Sequence, residues 1–445
     1  MSTSLYDLEA AKAGVVNRWH SAIEVTEAAG AVSGWGDSIG GLDLTVTAGE
    51  EPAFRDTYPS LCRIRAEYLE SDITTSNPRG MTIPSKTYDK RNFTAMWVID
   101  CYTSHPHFQV GNDDNSAIIW KADATSFVRS TGSGFKRNFD WNTTPGSYNF
   151  TAVHSPASRC VLITQWSAAA RNLYLNGRTI ATGSAATAGT FASAGRIFRD
   201  GDDTQFFGGM DEQVFWDTAS TPEQIAAITA AACAAWGINR SRVCLFCGDS
   251  ITYGWNTPDR MTLRVFHDRA DQLGGGKCSP EVQYMFGKPG WKASEAVTNY
   301  SNMAGDAADT FLQASWGGRR AFINLGNNDI RLDSAAATTV FGNLVSLAKS
   351  LRTSGASSVE IGTICPWTAI TAAHDRTRMQ VNAWLKGARG SIFDYVYDWE
   401  EVPGFRNTAN TAVYFDGIHW TTDAAKRAMQ YVREVRTRLR IGRVG

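Results

Sequence analysis

The pattern of hydrophobic and polar positions changes at about residue 220, and the chain therefore has two halves with different rhythms. In the first half, short runs rich in β-branched and aromatic residues are separated by Gly, Asn, Asp and Pro, which is typical of strands joined by turns. The regular spacing of the turn signals favours an all-β sandwich. Strands are predicted at 93–100, 148–153, 159–166, 172–175 and 205–216.

Local signals predict a hairpin and a helix in this half. Asn176-Gly177 joins two apolar runs, and this pair readily takes the positive φ values of a two-residue hairpin turn. The segment 221–224, Thr-Pro-Glu-Gln, combines an N-cap residue, a proline at the first helical position and a capping box. We predict a helix from there to about residue 236. The run 183–195 is rich in Ala, Gly, Ser and Thr and is predicted to be a loop between strands.

From about residue 242 the pattern alternates between short apolar runs and helical repeats. Alternation of this kind indicates right-handed βαβ crossovers and a parallel sheet that is covered on both faces. With 445 residues the chain is long enough for two domains, and we predict a multidomain protein with a β-sandwich at 1–237 and an α/β domain at 238–445. In the α/β domain, strands are predicted near 243–247, 282–286, 320–325, 358–364 and 394–398, and helices near 260–272, 335–352, 374–388 and 422–438.

Charge and hydropathy exclude several classes of partner. The 43 basic and 44 acidic residues are interspersed and give a formal net charge of -1, so there is no basic field for nucleic acid or anionic lipid. About the first 30 residues contain no apolar core of a secretory signal, and no apolar run is long enough to span a membrane. We therefore expect no nucleic-acid partner, no membrane partner and no signal peptide, while the oligomeric state stays open.

The eight cysteines stand mostly singly among apolar or small residues, which is typical of buried reduced thiols in a chain of this size. Cys244 and Cys247 match a C-x-x-C pattern in spacing alone. On a strand, residues three positions apart point to opposite faces, and the sequence offers no second cysteine pair or paired histidine to complete a zinc site. We expect no metal or redox role for this pair.

The strongest chemical signal is a Gly-Asp-Ser triplet that ends at Ser250 and follows directly on the apolar run 243–247. A serine at the exit of a buried strand lies where open α/β sheets hold their reacting groups. An unperturbed hydroxyl is a poor nucleophile, so it needs a histidine to take its proton and a carboxylate to orient that histidine. Among the seven histidines only His419 has such a carboxylate nearby in sequence. It belongs to Asp416, which lies three residues before His419 on a turn that contains glycine. The candidate catalytic residues are Ser250, Asp416 and His419.

Two further positions are candidates for stabilising the oxyanion of a tetrahedral intermediate. Gly290 and Asn328 both fall just past predicted strand ends, as Ser250 does, so three distant segments are expected to converge on one sheet edge. The backbone N–H groups of Ser250 and Gly290 and the side-chain amide of Asn328 are suitable donors, each worth roughly 3–4 kcal/mol in acyl transfer. Glycine lets the backbone approach the substrate closely, and a neutral amide donates without needing a counter-charge.

Taken in order, these motifs resemble the blocks of the SGNH, or GDSL-type, hydrolase family: Gly-Asp-Ser, an oxyanion glycine, Gly-x-Asn-Asp and Asp-x-x-His. The resemblance covers about residues 241–440 and implies ester hydrolysis through an acyl-serine intermediate, on a flavodoxin-like three-layer α/β domain and without metal or cofactor. It also implies supporting places for Asp249 and Asp329, the acidic residues of the first and third blocks. The second block departs from the family, which commonly has an asparagine ahead of its glycine, so Gly290 rests on its three-residue spacing from Gly287.

A second Gly-Asp-Ser-Ile string contains Ser38 and even satisfies the G-x-S-x-G pattern of a nucleophile elbow. Its context differs from that of Ser250. Residues 26–34 before it are mostly small and polar, so no apolar strand is predicted there, and no Asp-x-x-His follows within the β-rich half. We therefore expect Ser38 to lie in a loop and to take no part in catalysis.

The first half is similar to the concanavalin A-like, laminin-G-type jelly roll over about residues 15–236. The likeness is carried by the segments 35–38, 42–47, 173–178 and 207–214 and by the helix start at Thr221. It implies a sandwich whose concave face or rim loops bind glycans, in some cases with calcium. Solvated turns are favoured over calcium binding at the four candidate ligands, Asp113, Asp114, Asp202 and Asp203.

Together the two halves predict a serine esterase that removes acyl groups, acetyl above all, from a carbohydrate or polysaccharide. The lack of a secretory signal beside such a sandwich leads to the hypothesis of a phage tail-associated protein, because a virion reaches outer glycans without secretion; the alternative location is cytoplasmic. Two other functions stay open. One is a lipid or thioester hydrolase that uses the same site, and the other is a non-catalytic glycan-binding virion structural protein.

Overall fold

The computed structural model forms two compact units: the described residues up to Ile238 belong to one, and those from Arg242 onward belong to the other. The residues that it describes are 15–20, 25–28, 31–41, 43–46, 53–58, 61–66, 81–83, 87–101, 116–123, 126–133, 136–142, 159–185, 188–191, 196–197, 199–200, 204–205, 208–236, 238, 242–253, 282–287, 290–300 and 318–441.

The N-terminal unit is built of antiparallel strands followed by one described helix. The strands are β1 (Val15–His20), β2 (Val25–Ala28), β3 (Ala31–Trp35), β4 (Leu44–Thr45), β5 (Ala53–Tyr58), β6 (Leu61–Ala66), β7 (Met81–Thr82), β8 (Tyr88–Asp89), β9 (Asn92–Cys101), β10 (Ser116–Asp123), β11 (Ser126–Ser133), β12 (Lys136–Asn142), β13 (Arg159–Ser167), β14 (Arg171–Leu175), β15 (Arg178–Gly183), β16 (Thr190–Phe191), β17 (Arg196–Ile197), β18 (Arg199–Asp200), β19 (Thr204–Gln205) and β20 (Gly208–Trp216), and the helix is α1 (Pro222–Ala235).

Sixteen of these strands form one sheet in the order β12-β11-β10-β17-β7-β4-β3-β5-β6-β20-β9-β13-β14-β15, in which β1 also pairs with β20 and β2 with β3. Two small sheets are formed by β8 with β16 and by β18 with β19. Aromatic side chains fill the core beside β9 and β20: the ring of Phe215 lies 5.5 Å from that of Phe93 and 6.3 Å from that of Trp97, and all three are fully buried. The described strands establish antiparallel sheets, and a jelly-roll arrangement of them stays a prediction.

The strand predictions in this half are confirmed at three places, where 93–100, 159–166 and 172–175 lie within β9, β13 and β14. The predicted run 205–216 is divided, because β19 ends at Gln205 and β20 begins at Gly208. The predicted strand 148–153 lies outside the described residues, as do Asp113, Asp114, Asp202 and Asp203.

Both local signals of the first half are confirmed. Asn176 and Gly177 have φ values of 50° and 86° at the tip of the β14–β15 hairpin, as a two-residue turn requires. Helix α1 begins with the predicted capping box: the Gln224 N–H donates to Thr221 Oγ1 at 3.3 Å, and the Thr221 N–H donates to Gln224 Oε1 at 2.7 Å. Pro222 occupies the first helical position. A backbone N–H at this position would have no acceptor within the helix, so proline, which lacks an N–H, costs no helical hydrogen bond there.

Two expectations for this half are wrong. The predicted loop 183–195 contains β16, which pairs with β8, because Thr190 and Phe191 suit a strand although their surroundings are small and polar. A strand also precedes Ser38: β3 runs through a stretch in which Val32 and Trp35 are both fully buried. Burial of these two side chains, which lie on opposite faces of the strand, accompanies strand formation here, so a strand before a Gly-Asp-Ser string does not distinguish the two strings.

The C-terminal unit combines five strands with helices. The strands are β21 (Arg242–Gly248), β22 (Val282–Gly287), β23 (Gly318–Asn324), β24 (Ser358–Gly362) and β25 (Tyr395–Tyr397), the helices are α2 (Ser250–Tyr253), α3 (Ala293–Tyr300), α4 (Asn327–Asp333), α5 (Ala337–Thr353), α6 (Ala372–Gly387) and α7 (Thr422–Ile441), and a 3-10 helix spans Trp399–Glu401.

The five strands form one parallel sheet in the order β22-β21-β23-β24-β25, which is the flavodoxin-like order. Strands buried on both faces need uninterrupted apolar runs, and Ala321, Phe322 and Ile323 in β23 are all buried. The register aligns the ends of three strands, because Gly248 pairs with Gly287 on one side and with Asn324 on the other. Loops that leave these strands therefore start at one level of the sheet.

The predicted strands of this half, and the predicted helices that fall on described residues, agree with the structure to within a few residues, and the structure adds three helices, α2, α3 and α4, and the 3-10 helix. A helix, α4, begins directly after Gly326, where a turn was expected. The predicted helix 260–272 lies outside the described residues. No helix among the described residues is long and apolar enough to cross a membrane.

A buried charge ties β23, β24 and β25 together. Glu360 is fully buried and accepts two hydrogen bonds from Arg320, at 2.8 and 2.7 Å, and one from the Tyr397 hydroxyl at 2.6 Å. Burial alone would raise the pKa of Glu360, but the Arg320 guanidinium, with help from Arg436 and Tyr397, outweighs it and lowers this pKa to about 2. The stability contributed by the ionised Glu360 is therefore complete above about pH 4.5 and is lost as the pH falls toward 2.

Replacing Arg320 with Met should destabilise the C-terminal unit by about 3 kcal/mol at neutral pH, because a buried carboxylate loses its bidentate partner. The difference from the wild type should shrink as the pH is lowered toward 2, where Glu360 takes up a proton in both proteins. Urea denaturation at several pH values measures both effects. Arg438→Met is the control, since Arg438 is 67% exposed and its pair with Glu434 should contribute less than about 0.5 kcal/mol. A pH-independent difference would contradict the assignment of the effect to Glu360.

Candidate active site

Ser250 lies at the exit of β21, where the strand turns at once into α2. The turn is tight because a side chain at Gly248 would overlap Thr252, which stands directly above it. Only glycine allows this approach, so the backbone reverses direction within two residues of the strand end. The Ser250 side chain is 9% exposed and faces the edge of the sheet where the carboxyl ends of the strands lie.

Ser250, His419 and Asp416 are joined by hydrogen bonds. Ser250 Oγ lies 2.9 Å from His419 Nε2, and His419 Nδ1 lies 2.6 Å from Asp416 Oδ2. Because a carboxylate accepts and does not donate, the proton of the neutral imidazole is expected on Nδ1, which leaves Nε2 free to accept the Ser250 hydroxyl proton. The structure therefore brings the three predicted catalytic side chains together in the order that a serine nucleophile needs.

The turn that carries Asp416 and His419 fixes the carboxylate. Asp416 Oδ1 accepts the backbone N–H groups of His419 at 2.8 Å and Ile418 at 3.0 Å. Partial burial raises the pKa of Asp416, but these N–H groups and the imidazole outweigh it and lower the pKa below the usual value. Asp416 is therefore ionised at neutral pH, as the orienting residue of the histidine must be.

Gly417 explains how this turn closes. Its φ is 82°, and an added Cβ would overlap the side chain of Thr368. The Thr368 N–H donates to the Gly417 carbonyl at 2.8 Å, so the segment after β24 holds the turn in place. Tyr414 and Trp420, which flank the turn in sequence, form an antiparallel β-bridge that closes it.

Gly290 occupies the turn before α3 with a φ of 82°, a value that favours glycine. Gly290 is exposed, and none of the described residues lies within 4 Å of the place where its Cβ would stand. Trp291, the next residue, is fully buried and holds this turn against the domain. An exposed backbone N–H on a fixed turn is what the predicted oxyanion role requires.

Asn328 lies in the first turn of α4 and is 3% exposed. Its Nδ2 donates to the Trp291 carbonyl at 3.0 Å, and its Oδ1 accepts from Arg331 Nη2 at 3.0 Å. The contact with Trp291 places Asn328 beside the turn of Gly290. The two candidate oxyanion donors that come from distant segments are thus neighbours.

Two buried carboxyls support this arrangement. Asp329 accepts the N–H of Ala293 at 2.7 Å and that of Ser294 at 3.3 Å, and so fastens the start of α3 to α4. Asp249 is 2% exposed and accepts the N–H of Ile251 at 3.0 Å. Burial raises the pKa of Asp249 to about 7, and the nearby charge of Asp329 adds to this rise. The pKa of Asp329 is also raised by burial.

Another serine lies against a histidine, but its setting differs. Ser334 Oγ lies 3.0 Å from His374 Nε2 at the end of α4. The carboxylate next in sequence to His374 is Asp375, which binds Arg378 at 2.8 Å. In the other unit, Ser38 donates to the Arg18 carbonyl at 3.2 Å in a turn, as expected for a loop residue.

Arg331 and Phe415 lie at the candidate site but were not predicted there from the sequence. Arg331 follows Asn328 by three residues, a spacing that places both on one face of a helix, but the helix itself was not predicted. The Phe415 ring is 38% exposed and stacks on the His419 imidazole, with centroids 5.8 Å apart and planes at 22°. An aromatic residue beside Asp-x-x-His was visible in the sequence, although its exposure was not.

No group of three or more metal-binding side chains occurs among the residues that the structure describes. Cys244 and Cys247 are both buried on β21.

Comparison with known proteins assigns the class of the C-terminal unit. Residues 246–427 match the model of the GDSL-like Lipase/Acylhydrolase family, so this stretch is a GDSL/SGNH hydrolase domain. The match spans the strand-end motifs and the Asp416 turn, and it indicates an acylhydrolase. A search of curated proteins found no match to the chain.

Solved structures show partial likeness. They include a lipolytic protein of the G-D-S-L family from Veillonella parvula, with 22% identity over 44% of this chain and 99% of that chain and a TM-score of 0.36. A carbohydrate esterase family 3 protein from Talaromyces cellulolyticus has 15% identity over 44% of this chain and 97% of its own, with a TM-score of 0.34. Domain 4 of an extracellular arabinanase from Geobacillus stearothermophilus has 14% identity over 48% and 98%, with a TM-score of 0.34.

Replacing Asp249 with Asn should flatten the dependence of stability on pH. Asp249 keeps its proton up to about pH 7 in the folded protein but loses it near 3.8 when unfolded. The free energy of unfolding of the wild type therefore falls as the pH rises through this window. The Asn variant should lose part of this fall, and Asp329, whose pKa is also raised by burial, should still contribute to the remainder. Urea denaturation from pH 4 to about 7 measures it, with the 78% exposed Asp423→Asn as the control; an unchanged slope would refute the role given to Asp249.

Proposed function

We propose that the chain is a serine esterase that removes acyl groups, acetyl above all, from a carbohydrate or polysaccharide. The observation that carries the proposal is the hydrogen-bonded line from Ser250 Oγ through the His419 imidazole to Asp416, at 2.9 and 2.6 Å. The family match of residues 246–427 supports the same chemistry. In this proposal Ser250 is the nucleophile, His419 the general base and acid, and Asp416 the residue that orients the imidazole.

The reaction begins when Ser250 Oγ attacks the ester carbonyl and passes its proton to His419 Nε2. The carbonyl oxygen becomes an oxyanion, which the N–H groups of Ser250 and Gly290 and one N–H of the Asn328 amide stabilise. Collapse of this intermediate breaks the bond to the alcohol oxygen, and the imidazolium returns the proton to the leaving sugar hydroxyl. The acyl group is then held as an ester of Ser250.

Water completes the cycle by the same steps. His419 Nε2 takes a proton from a water molecule, whose oxygen attacks the acyl-serine carbonyl. The second oxyanion uses the same three donors, and its collapse releases the carboxylic acid and returns the proton to Ser250 Oγ. Asp416 stays ionised throughout and stabilises the imidazolium that forms in each half of the reaction, in keeping with its lowered pKa.

The openness of the site favours a small acyl group on a large polar substrate. Gly290 is exposed, and the Asp416 side chain is 34% exposed. The exposed ring of Phe415 beside His419 offers an apolar surface of the kind on which the faces of sugar rings pack. A polymer can reach such a site from solvent, whereas a long alkyl chain would need a covered apolar channel.

For the rest of the chain we propose a laminin-G-type jelly roll that binds the glycan, with the domain boundary at residues 237 and 238, and a phage tail-associated location. The described antiparallel sheet supports the first part of this proposal. Mass spectrometry of purified virions tests the location, and virions without this chain would exclude it.

Replacing Ser250 with Ala should lower kcat/KM for p-nitrophenyl acetate by about 10⁴-fold or more, because the nucleophile is lost while binding and the remaining oxyanion donors persist. The release of p-nitrophenol measures the change, and circular dichroism verifies the fold. Ser38→Ala is the matched control, since it removes the serine of the other Gly-Asp-Ser string, and it should leave the rate unchanged. Turnover that survives in the Ser250 variant would refute the assignment of the nucleophile.

A panel of esters separates the proposed substrate from the other functions. Acetate should be released from acetylated polysaccharides, and p-nitrophenyl esters should be cleaved more slowly as the acyl chain grows from two to eight carbons. A preference for long acyl chains or thioesters would favour the lipid or thioester hydrolase. Glycan-array binding that is unaffected by Ser250→Ala, together with no turnover of any ester, would favour a non-catalytic virion protein.

A further inference from the structure

Each end of the Asn328 amide has a partner. Nδ2 donates to the Trp291 carbonyl, and Oδ1 accepts from Arg331 Nη2, both at 3.0 Å. An amide nitrogen carries two hydrogens, so one N–H of Asn328 remains for a further acceptor. A guanidinium only donates and a carbonyl only accepts, and the two contacts therefore fix the same orientation of the amide. If the amide were flipped, its oxygen would face the Trp291 carbonyl and its NH₂ group would face the guanidinium.

The backbone holds Arg331 in this place. Asn328 and Arg331 are three residues apart on α4 and so share one face of the helix. The helix is entered through Gly326 at a φ of 110°, where an added Cβ would stand 2.8 Å from Ile364 Cδ1. It is left through Ser334, also in the left-handed region at 51°. The backbone conformation is therefore defined at both ends of α4. This keeps Asn328 and Arg331 one helical turn apart on the same face.

Arg331 is half-buried, and one polar atom of its side chain is buried at a cost. The Nε atom is buried and has no hydrogen-bond partner among the described residues, which an apolar side chain of similar volume would avoid. Two further buried carboxyls, Asp249 and Asp329, lie close by, and the positive charge of Arg331 acts on Asp249. Where either carboxyl is ionised, its charge would oppose an oxyanion that forms nearby, and the positive charge of Arg331 offsets it. Packing alone does not account for an arginine in this position.

We propose that Arg331 is a positioning residue of the oxyanion site, which holds the Asn328 amide oxygen so that the free N–H points at the developing oxyanion. Its charge also polarises the amide, because a cation at the oxygen makes the N–H groups stronger donors. The proposal rests on the proposed esterase function. Arg331 itself does not touch the reacting atoms in this scheme and acts through Asn328.

The test is a double-mutant cycle with Arg331→Met and Asn328→Ala, measured with p-nitrophenyl acetate. Arg331→Met should lower kcat by about tenfold or more and change KM by less than about threefold, because a donor to the transition state is misplaced while the ground state is not. In the Asn328→Ala background the Arg331 change should have no further effect on kcat, since its target is gone. Arg331→Lys should restore part of kcat, because it keeps a cationic donor.

The control is Arg376→Met, which removes an exposed arginine from α6 and should leave kcat unchanged. A wild-type kcat in Arg331→Met, or effects of the two changes that multiply in the double variant, would overturn the proposal. If the Met variant does not fold, as judged by circular dichroism, the cycle is run with Arg331→Gln, for which the same non-additivity is expected.

A second readout keeps this inference separate from the esterase assignment. In a spectrum of protein labelled with ¹⁵N-asparagine, the side-chain NH₂ pair of Asn328 is assigned by its loss in Asn328→Ala. Two well-separated proton signals are expected in the wild type, and Arg331→Met should shift them or bring them together. If the wild type cleaves no ester, the esterase proposal fails while this measurement still stands. An unchanged NH₂ pair in Arg331→Met would refute the positioning role in either case.

Discussion

The architecture of the C-terminal unit depends on the parallel ladders that hold β21 between β22 and β23. These ladders place Gly248, Gly287 and Asn324 side by side, so the three strands end at one level. The loops that follow carry Ser250, Gly290 and Asn328, which are far apart along the chain. A shift of one residue in either ladder would turn every side chain of the strand to the other face and would separate Ser250 from Gly290 and Asn328, the proposed oxyanion donors. The geometry of the site is therefore a property of strand pairing before it is a property of any catalytic side chain.

The same unit buries carboxyls in two different ways. Glu360 is fully buried with a bidentate arginine and a tyrosine hydroxyl, and its charge is kept. Asp249 is almost as deeply buried, but its hydrogen bonds come from backbone N–H groups, that of Ile251 and its own, and its pKa rises instead. The difference follows from the kind of donor, because a buried charge persists only where hydrogen bonds and opposite charge replace its lost hydration. One carboxyl joins three strands, and the other supports the turn at the nucleophile.

Much of this could be predicted from the sequence, for physical reasons that differ from place to place. The strands of the parallel sheet are short, continuous apolar runs, and the Asn176-Gly177 turn and the Thr221 cap depend on residues next to each other in sequence. The pairing of Ser250 with His419 was also predictable, since only His419 has a carboxylate three residues before it. In each of these cases, residues close together in sequence determine the structure and leave few alternative conformations or partners.

The remaining features depend on contacts that no short stretch of sequence encodes. Helix α4 begins after a left-handed glycine that packs closely against Ile364, a residue far along the chain. The strand β3 before Ser38 has only two deeply buried side chains, too few to stand out from small and polar neighbours. The role of Arg331 depends on which atoms of Asn328 and Trp291 face each other. Tertiary contacts determine all three features, so none of them could be predicted from the pattern of residues alone.

The turn that holds Asp416 and His419 is expected to give the two parts of the proposed site different thermal limits. Ser250, Gly290 and Asn328 stand near the ends of strands in a buried sheet, whereas His419 stands on a turn outside the sheet, whose contacts include the hydrogen bond from Thr368 to Gly417 and the bridge between Tyr414 and Trp420. Such a turn opens at a smaller free-energy cost than the strands of the sheet. On heating, we therefore expect the imidazole to separate from Ser250 before the sheet melts, and on cooling to return without refolding of the domain.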